Sequence, residues 1–359
     1  MSDGRSIDWG ALRAQFPILE RKVYLNSNSL GALSRLAIEE RRRFEALWNE
    51  RGASAWYEIW LAKLEEVRAA FGRTIGAEPG TIALMPSVSA ALAVVAGALD
   101  GAARSGDGAD SVGGRPPVGR RKVVVTELDF PTLGHQFLSR RALGLEVEVV
   151  ESPDGVEVPL EAIAAAVDED TLLLATSHVF YGTGAIQDAR ALAEIAHGAG
   201  SYILLDAYQS NGQLPIDVGA LGVDFLVSGA LKWLCGGPGL AYLYVRPGID
   251  LAPTTLSWFG VEDQFGFDLR GARARADARR FELGTPAMGA VYTAAGGLAV
   301  VEEAGIERIR ARDRGLADDL RGRLREAGFA LHEASAPERR SALVLVHQPE
   351  AAAVVGALA

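Results

Sequence analysis

The chain has 359 residues, 49% of them apolar and 23% charged, with a formal net charge of −10. That balance fits a folded globular protein with one large and one smaller domain and excludes a disordered chain. The acidic surplus excludes nucleic acid and anionic membranes as main partners.

A single cysteine, Cys235, precludes an intrachain disulfide, and the five histidines show no metal-ligand spacing, so no metal is expected. The N-terminus lacks an apolar signal region. The most apolar run, "ALMPSVSAALAVVAGAL", is too short to span a bilayer, so a soluble, cytoplasmic protein is expected.

In chain order, the residues up to Leu19 read as an arm or short helix ending at Pro17. "KVYLNSNSLGALSR" reads as a short strand running into a polar turn. Amphipathic helices follow over Leu36–Glu50 and Trp56–Phe71, and the three arginines at 41–43 form a solvated face beside Glu39, Glu40 and Glu45. "AEPGTIALMPSVSAALAVVAGAL" gives a turn, a strand and a buried helix from near Ser87. Residues 100–121 are rich in Gly, Ser, Pro and Asp and read as a flexible surface insertion.

Strands "KVVVTE", "EVEVVE", "TLLLATS", "YILLDA" and "DFLVSG" then alternate with helical or loop segments such as "DARALAEIAHGAG". This spacing predicts a mostly parallel sheet covered by helices, an α/β fold. "GLAYLYVRP" follows too closely for a helical crossover and is expected to be antiparallel. A helical pattern runs from Thr285 to Ala327, and the strand "SALVLVHQ" and helix "PEAAAVVGALA" suggest the start of a small α+β domain. The expected organisation is an arm (1–22), a large domain (23–284) and a small C-terminal domain (285–359) that reads as incomplete.

Lys232 is the unusual residue. Of 36 lysines and arginines only four are lysine, and the other three sit among charges. Lys232 stands in the apolar run "FLVSGALKWLCGGPG", where arginine would serve if only a cation were wanted. A lysine amine can lose its proton when desolvated and act as a nucleophile. Asp206 ends the strand "YILLD", so neighbouring strands deliver a carboxylate and an amine to one sheet edge. Ser87, Val88 and Ser89 open a helix after another strand, where free N–H groups suit a phosphate. Singly these are a strand-end cap, an N-cap and a snorkelling lysine. Together they are what pyridoxal phosphate requires: a Schiff-base lysine, a carboxylate at the pyridine nitrogen and a phosphate cradle.

At this point "SHVFYGTGAIQDARALAEIAHGAGSYILLDAYQSNGQLPIDVGALGVDFLVSGALKWLCGGPGLAYLYV" resembles the core of the class V aminotransferase family of fold-type I pyridoxal-phosphate enzymes. That group includes cysteine desulfurases, isopenicillin-N epimerase-like enzymes and kynureninases. The resemblance implies that Lys232 carries the cofactor and moves the substrate α-proton, and that Asp206 pairs with the pyridine nitrogen. It implies Gln209 beside the phenolic oxygen, Tyr181 in the loop facing the same oxygen, and Phe130 of "ELDFPTLGHQF" stacked on the cofactor. Thr285 of "RFELGTP" would reach the phosphate of a neighbouring subunit, with Trp258 near the same place, so a homodimer is implied. Asn28 and Ser29 of "NSNSLG" would help hold the substrate carboxylate.

Three departures limit the resemblance. Leu231 and Ala230 stand where the relatives carry polar residues, no cysteine follows Cys235, and the usual carboxylate-binding arginine is missing before the chain stops at Ala359. Arg339 and Arg340 are the only late candidates and read as turn residues. The expected function is an aminotransferase or lyase reaction on a small amino acid or amine. Kynureninase-like C–C hydrolysis is the alternative, and a non-catalytic homologue the second alternative.

Overall fold

The computed structural model describes residues 7–105 and 119–358. Most of the insertion expected at 100–121 and the first residues of the arm lie outside the described residues.

Seven strands form one sheet: β1 (Ile82–Met85), β2 (Lys122–Thr126), β3 (Glu146–Val150), β4 (Thr171–Ser177), β5 (Tyr202–Asp206), β6 (Phe225–Gly229) and β7 (Ala241–Val245). Their order across the sheet is β1-β7-β6-β5-β4-β2-β3. All neighbouring pairs are parallel except those made by β7, which is antiparallel to both β6 and β1. Two reversals cancel, so β1 runs in the same sense as the parallel strands and its carboxyl end reaches the same edge. The seven strands expected between Ile82 and Val245 are all present.

The helices are α1 (Trp9–Ala14), α2 (Arg35–Arg51), α3 (Leu61–Ile75), α4 (Val88–Ser105), α5 (Pro131–Leu138), α6 (Leu160–Ala166), α7 (Ala189–Gly198), α8 (Val218–Leu221), α9 (Met288–Ala304), α10 (Ile306–Glu326) and α11 (Ala351–Leu358). They cover the sheet from both sides. Alternate strand residues point to opposite faces. Leu174, Ile203, Leu205, Leu226 and Tyr242 therefore pack with α3, α7 and α9. Leu173, Leu204, Val227 and Leu243 pack with α4 and α5. Strands β4 to β7 are buried along their whole length, hence their unbroken apolar sequences. Edge strand β3 is mostly exposed and carries alternate glutamates.

The structure corrects four expectations. "KVYL" is not a strand: Val23 and Leu25 are 87% and 78% exposed, and no strand among the described residues pairs with it. The helix expected from Trp56 begins as a π-turn over Trp56–Trp60 before α3. The helical stretch from 285 is cut at Gly305, whose φ of 76° cannot continue a helix, giving α9 and α10. "SALVLVHQ" forms only an isolated bridge between Leu331 and Val346. Its first residues are taken instead by large-domain loops: Ser341 N–H donates to the Gly184 carbonyl and Ala342 N–H to Gln213 Oε1.

Helix α9 sets the height of the loop that follows β6. A Cβ on Gly296 would overlap the backbone of Ala37 in α2, and one on Gly297 would overlap the carbonyls of Leu234 and Cys235. Small residues on one helix thus admit both α2 and that loop. Among the described residues no helix is long and apolar enough to cross a membrane. Gly296→Ala is expected to lower stability by about 1–3 kcal/mol, since the α2 backbone cannot yield as a flexible side chain would. A urea titration of wild type and variant checks this.

Candidate active site

The carboxyl ends of β1, β2, β4, β5 and β6 open onto a cavity of about 310 Å³, within the range of small-molecule sites, about 300–1,000 Å³. It brings together Ser29, Ser87, Val88, Ser89, Phe130, Tyr181, Asp206, Gln209 and Lys232, nine of the residues named from the sequence. It also takes Leu231 and, beyond any residue singled out in the sequence, Thr132, Ser177 and Tyr208.

Lys232 sits on a tightly bonded loop. Gly236 N–H donates to the Ala230 carbonyl (2.7 Å), Cys235 N–H to the Lys232 carbonyl (3.0 Å) and Gly31 N–H to the Leu231 carbonyl (2.7 Å). Position 31 must be glycine, because any Cβ there would overlap the Lys232 carbonyl. The Asn26–Gly31 turn is thereby fixed onto the lysine loop. Burial holds the Lys232 amine below its ordinary pKa, and the carboxylate of Asp206 opposes that shift. Burial primes it as a nucleophile.

Asp206 is 6% exposed. Burial raises its pKa to about 6, against the Tyr208 N–H it accepts (2.8 Å) and the charge of Lys232, while the neighbouring Asp129 pushes it further up. Asp129 is itself buried and ties β2 to β4. Its carboxylate accepts from Thr126 N–H (2.8 Å), Thr126 Oγ1 (3.0 Å), Thr176 Oγ1 (3.0 Å) and Ser177 N–H (2.6 Å). That network fixes Ser177 and the backbone entering Phe130. In the sequence Asp129 looks like any loop aspartate, and only strand order reveals it.

Gln209 clamps the cavity floor. Its Nε2 donates to the Asn28 carbonyl (2.9 Å) and its Oε1 accepts from Trp233 Nε1 (2.9 Å), leaving one amide hydrogen for a ligand. Asn28 therefore meets the site through its backbone. His178 is buried behind Asp206 with Nδ1 unpartnered, and burial lowers its pKa to about 4, so it is neutral. Phe130 and Tyr181 meet edge to face at the mouth, centroids 5.1 Å apart. Ser87 Oγ accepts from Ala90 N–H (3.2 Å) and caps the 18-residue α4, whose first-turn amides have no partner within the helix.

Two named residues lie elsewhere in the chain. Trp258 packs against Phe259, Phe265 and Phe267, and Thr285 is exposed in a separate cavity beside Met85 and Pro86. Arg339 is engaged by the Ile186 carbonyl and Glu157, and Arg340 by the carbonyls of Ala334 and Ser335. Neither lines the Lys232 cavity. The Cys235 thiol is pushed up to about 12 by burial and donates to the Trp233 carbonyl, so it is not poised as a nucleophile.

The sequence profile described as aminotransferase class-V matches residues 49–358. The chain belongs to the class-V aminotransferase family. It is 38% identical over 300 residues to the uncharacterized aminotransferase YcbU of Bacillus subtilis (strain 168), an alignment covering 83% of this chain and 74% of that one. It is 30% identical over 362 residues to kynureninase of Pseudomonas fluorescens, covering 97% and 82%. Among solved structures, the cysteine desulfurase of Thermococcus onnurineus NA1 superposes with a TM-score of 0.83 at 22% identity, over 98% of this chain and 86% of that one. The lyase C-DES, in a structure with glycine covalently linked to its PLP cofactor, gives 0.82 at 22% identity, over 96% and 89%.

The fold is therefore the fold-type I of pyridoxal-phosphate enzymes, and this class-V enzyme uses that cofactor. The donor set suits it: an uncharged-prone amine, a buried carboxyl, an aromatic wall and a helix N-terminus face one cavity.

The folded pKa of Asp206 is raised above its unfolded value, so its contribution is present below pH 4 and lost as pH rises through about 6. Asp206→Asn is therefore expected to make the apoprotein more stable than wild type at pH 7, by up to roughly 3 kcal/mol. The advantage should vanish below pH 4. Chemical denaturation of both proteins across that range checks it.

Proposed function

We propose that this class-V enzyme is an aminotransferase or lyase acting on a small amino acid or amine. The observation that carries the reading is the convergence of Lys232, Asp206 and the start of α4 on one cavity. When bound, pyridoxal phosphate supplies an electron sink for the substrate α-carbon. In this reading Lys232 holds it through the amine. Asp206 holds a proton at the pyridine nitrogen, because a pyridinium beside it would restore the anionic carboxylate that burial disfavours. The amides of Val88 and Ser89 and the hydroxyls of Ser87 and Ser89 bind the phosphate. Phe130 covers one face of the ring and, with Tyr181, limits water at the mouth. Gln209 offers its remaining amide hydrogen to the phenolic oxygen.

Lys232 would take the substrate α-proton and return it, and burial shifts its amine in the direction that favours a base. The Ser29 hydroxyl would hold the substrate carboxylate, whereas Asn28 meets the site through its carbonyl, which fixes Gln209 and accepts rather than donates. The enzyme is further read as a cytoplasmic homodimer in which Thr285 and Trp258 serve the partner's site, since neither reaches the Lys232 cavity of its own chain. In this reading the large domain (23–284) builds the site, and the arm (1–22) precedes it. Helix α9 packs on α2 and α3, and the smaller domain proper follows Gly305.

Kynureninase-like C–C hydrolysis is the second reading, favoured by the 30% identity to a kynureninase over 97% of the chain. Leu231 opposes it, because an apolar side chain at the cavity wall neither donates nor accepts a proton.

Borohydride reduction with pyridoxal phosphate, followed by peptide mass analysis, is expected to fix the cofactor on Lys232 and on no residue of Lys232→Ala. That variant should lose turnover by roughly 10²–10⁴-fold or more. A wild-type protein that captures no cofactor overturns the reading. Amino-group transfer to a 2-oxo acid supports the first reaction, and consumption of kynurenine with no acceptor supports the second.

A further inference from the structure

We propose that Tyr208 is a positioning residue for Lys232, its ring wedged across Gly229 to form the floor on which the lysine amine rests, with Phe130 opposite. The inference rests on Lys232 being the cofactor lysine.

Lys232 Nζ lies 4.5 Å from the Tyr208 ring centroid and 5.6 Å from that of Phe130. Both distances fall within the ~6 Å reach over which a ring face attracts a cation. The amine is thus bracketed by two aromatic rings that come from different strand ends.

The sheet register explains how Tyr208 gets there. Asp206 of β5 pairs with Val227 of β6, so two residues further on Tyr208 faces Gly229. The three atoms nearest to a Cβ built on Gly229 are Cε2, Cζ and Oη of Tyr208, and all would overlap it. The ring therefore occupies the volume of the missing side chain. Tyr208 and Gly229 specify each other, three residues before the lysine. The backbone of Tyr208 is fixed as well, because its N–H donates to Asp206 Oδ1 (2.8 Å). One residue thus couples the carboxyl that faces the cofactor to the amine that carries it.

The surroundings show why an aromatic floor matters. Asp206 at the end of β5 favours the ammonium, and burial opposes it. Asp129 after β2 acts on Asp206, His178 after β4 is neutral, and Tyr181 stands at the mouth. Among the described residues no arginine lines the cavity. A ring face supports the charged amine without adding a second anion beside Asp206, and it leaves the amine free to move when substrate displaces it.

The test measures the Lys232 amine in the apoprotein, by its rate of labelling with trinitrobenzenesulfonate against pH, read on the Lys232 peptide. A second readout is the rate of pyridoxal-phosphate capture trapped by borohydride, at alkaline pH where the amine is neutral in every variant. Tyr208→Phe keeps the ring and is expected to match wild type in both. Tyr208→Leu fills the space without a π face. Its labelling midpoint should move to lower pH by about half a unit or more, because the charged form loses its support, and capture should slow by roughly threefold or more, because the flat floor that positions the lysine stem is gone.

Gly229→Ala should reproduce the leucine result when Tyr208 is present and add nothing in Tyr208→Ala, a coupling that a double-mutant cycle reads directly. The proposal is overturned if Tyr208→Leu equals wild type, if Tyr208→Phe behaves like leucine, or if Gly229→Ala is as damaging without Tyr208. Should the leucine variant melt, the phenylalanine variant and the Gly229 cycle still decide. A wild type that captures no cofactor while the midpoint shift persists removes the cofactor reading and leaves the positioning of Lys232 standing.

Discussion

The contact on which the site depends is the backbone of Gly31 against the backbone of Leu231 and Lys232. A hydrogen bond from Gly31 N–H to the Leu231 carbonyl, and the absence of any Cβ at 31, let the Asn26–Gly31 turn lie directly on the lysine loop. Helix α9 supports the same loop from the other side, with Gly297 against the carbonyls of Leu234 and Cys235. A lysine on a loop held from both sides loses little conformational freedom on binding and presents its amine from a fixed base. Gln209 extends the same stitch, since the carbonyl it engages belongs to Asn28 of that turn.

The electrostatics follow from where this loop places the amine. A carboxyl and an amine at adjacent strand ends, both buried, move in opposite senses: Asp206 up towards about 6 and Lys232 down. Both shifts run towards neutrality, the direction in which a site takes or gives a proton at smaller cost. Contrast Asp224, fully buried at the start of β6, whose carboxylate accepts from Ile203 N–H and Arg246 and pairs with His197. Its hydrogen bonds are consumed by the fold, so it holds strands together and has nothing left for a ligand. Two buried aspartates at consecutive strands thus differ because one has committed partners and the other waits for one.

The departures from the relatives gain meaning in three dimensions. Leu231 and Ala230 make the lysine loop apolar, and Tyr208 sets an aromatic ring beside it. The single cysteine, half-buried with φ of 52° on that loop, does not line the cavity. At 22% identity, the similarity to cysteine desulfurase structures is similarity of scaffold.

The sheet was legible in the sequence because its strands are buried on both faces and so read as unbroken runs such as "TLLLATS" and "YILLD". Lys232 and Asp206 were legible because an isolated charge beside such a run has no packing reason to be there. The strand expected at "KVYL" and the one at "SALVLVHQ" were not, since strand propensity needs a partner edge and sequence does not say whether one is free. Asp129, Tyr208 and Gly229 were invisible for the same reason: each matters only through a neighbour on another strand, 48 residues away from Asp129 in the case of Ser177. The sequence by itself determined which residues could do the chemistry and at which strand ends they stand. Tertiary structure alone decided which of them meet, because register and strand order, set by packing across the whole sheet, fix what lies beside the lysine.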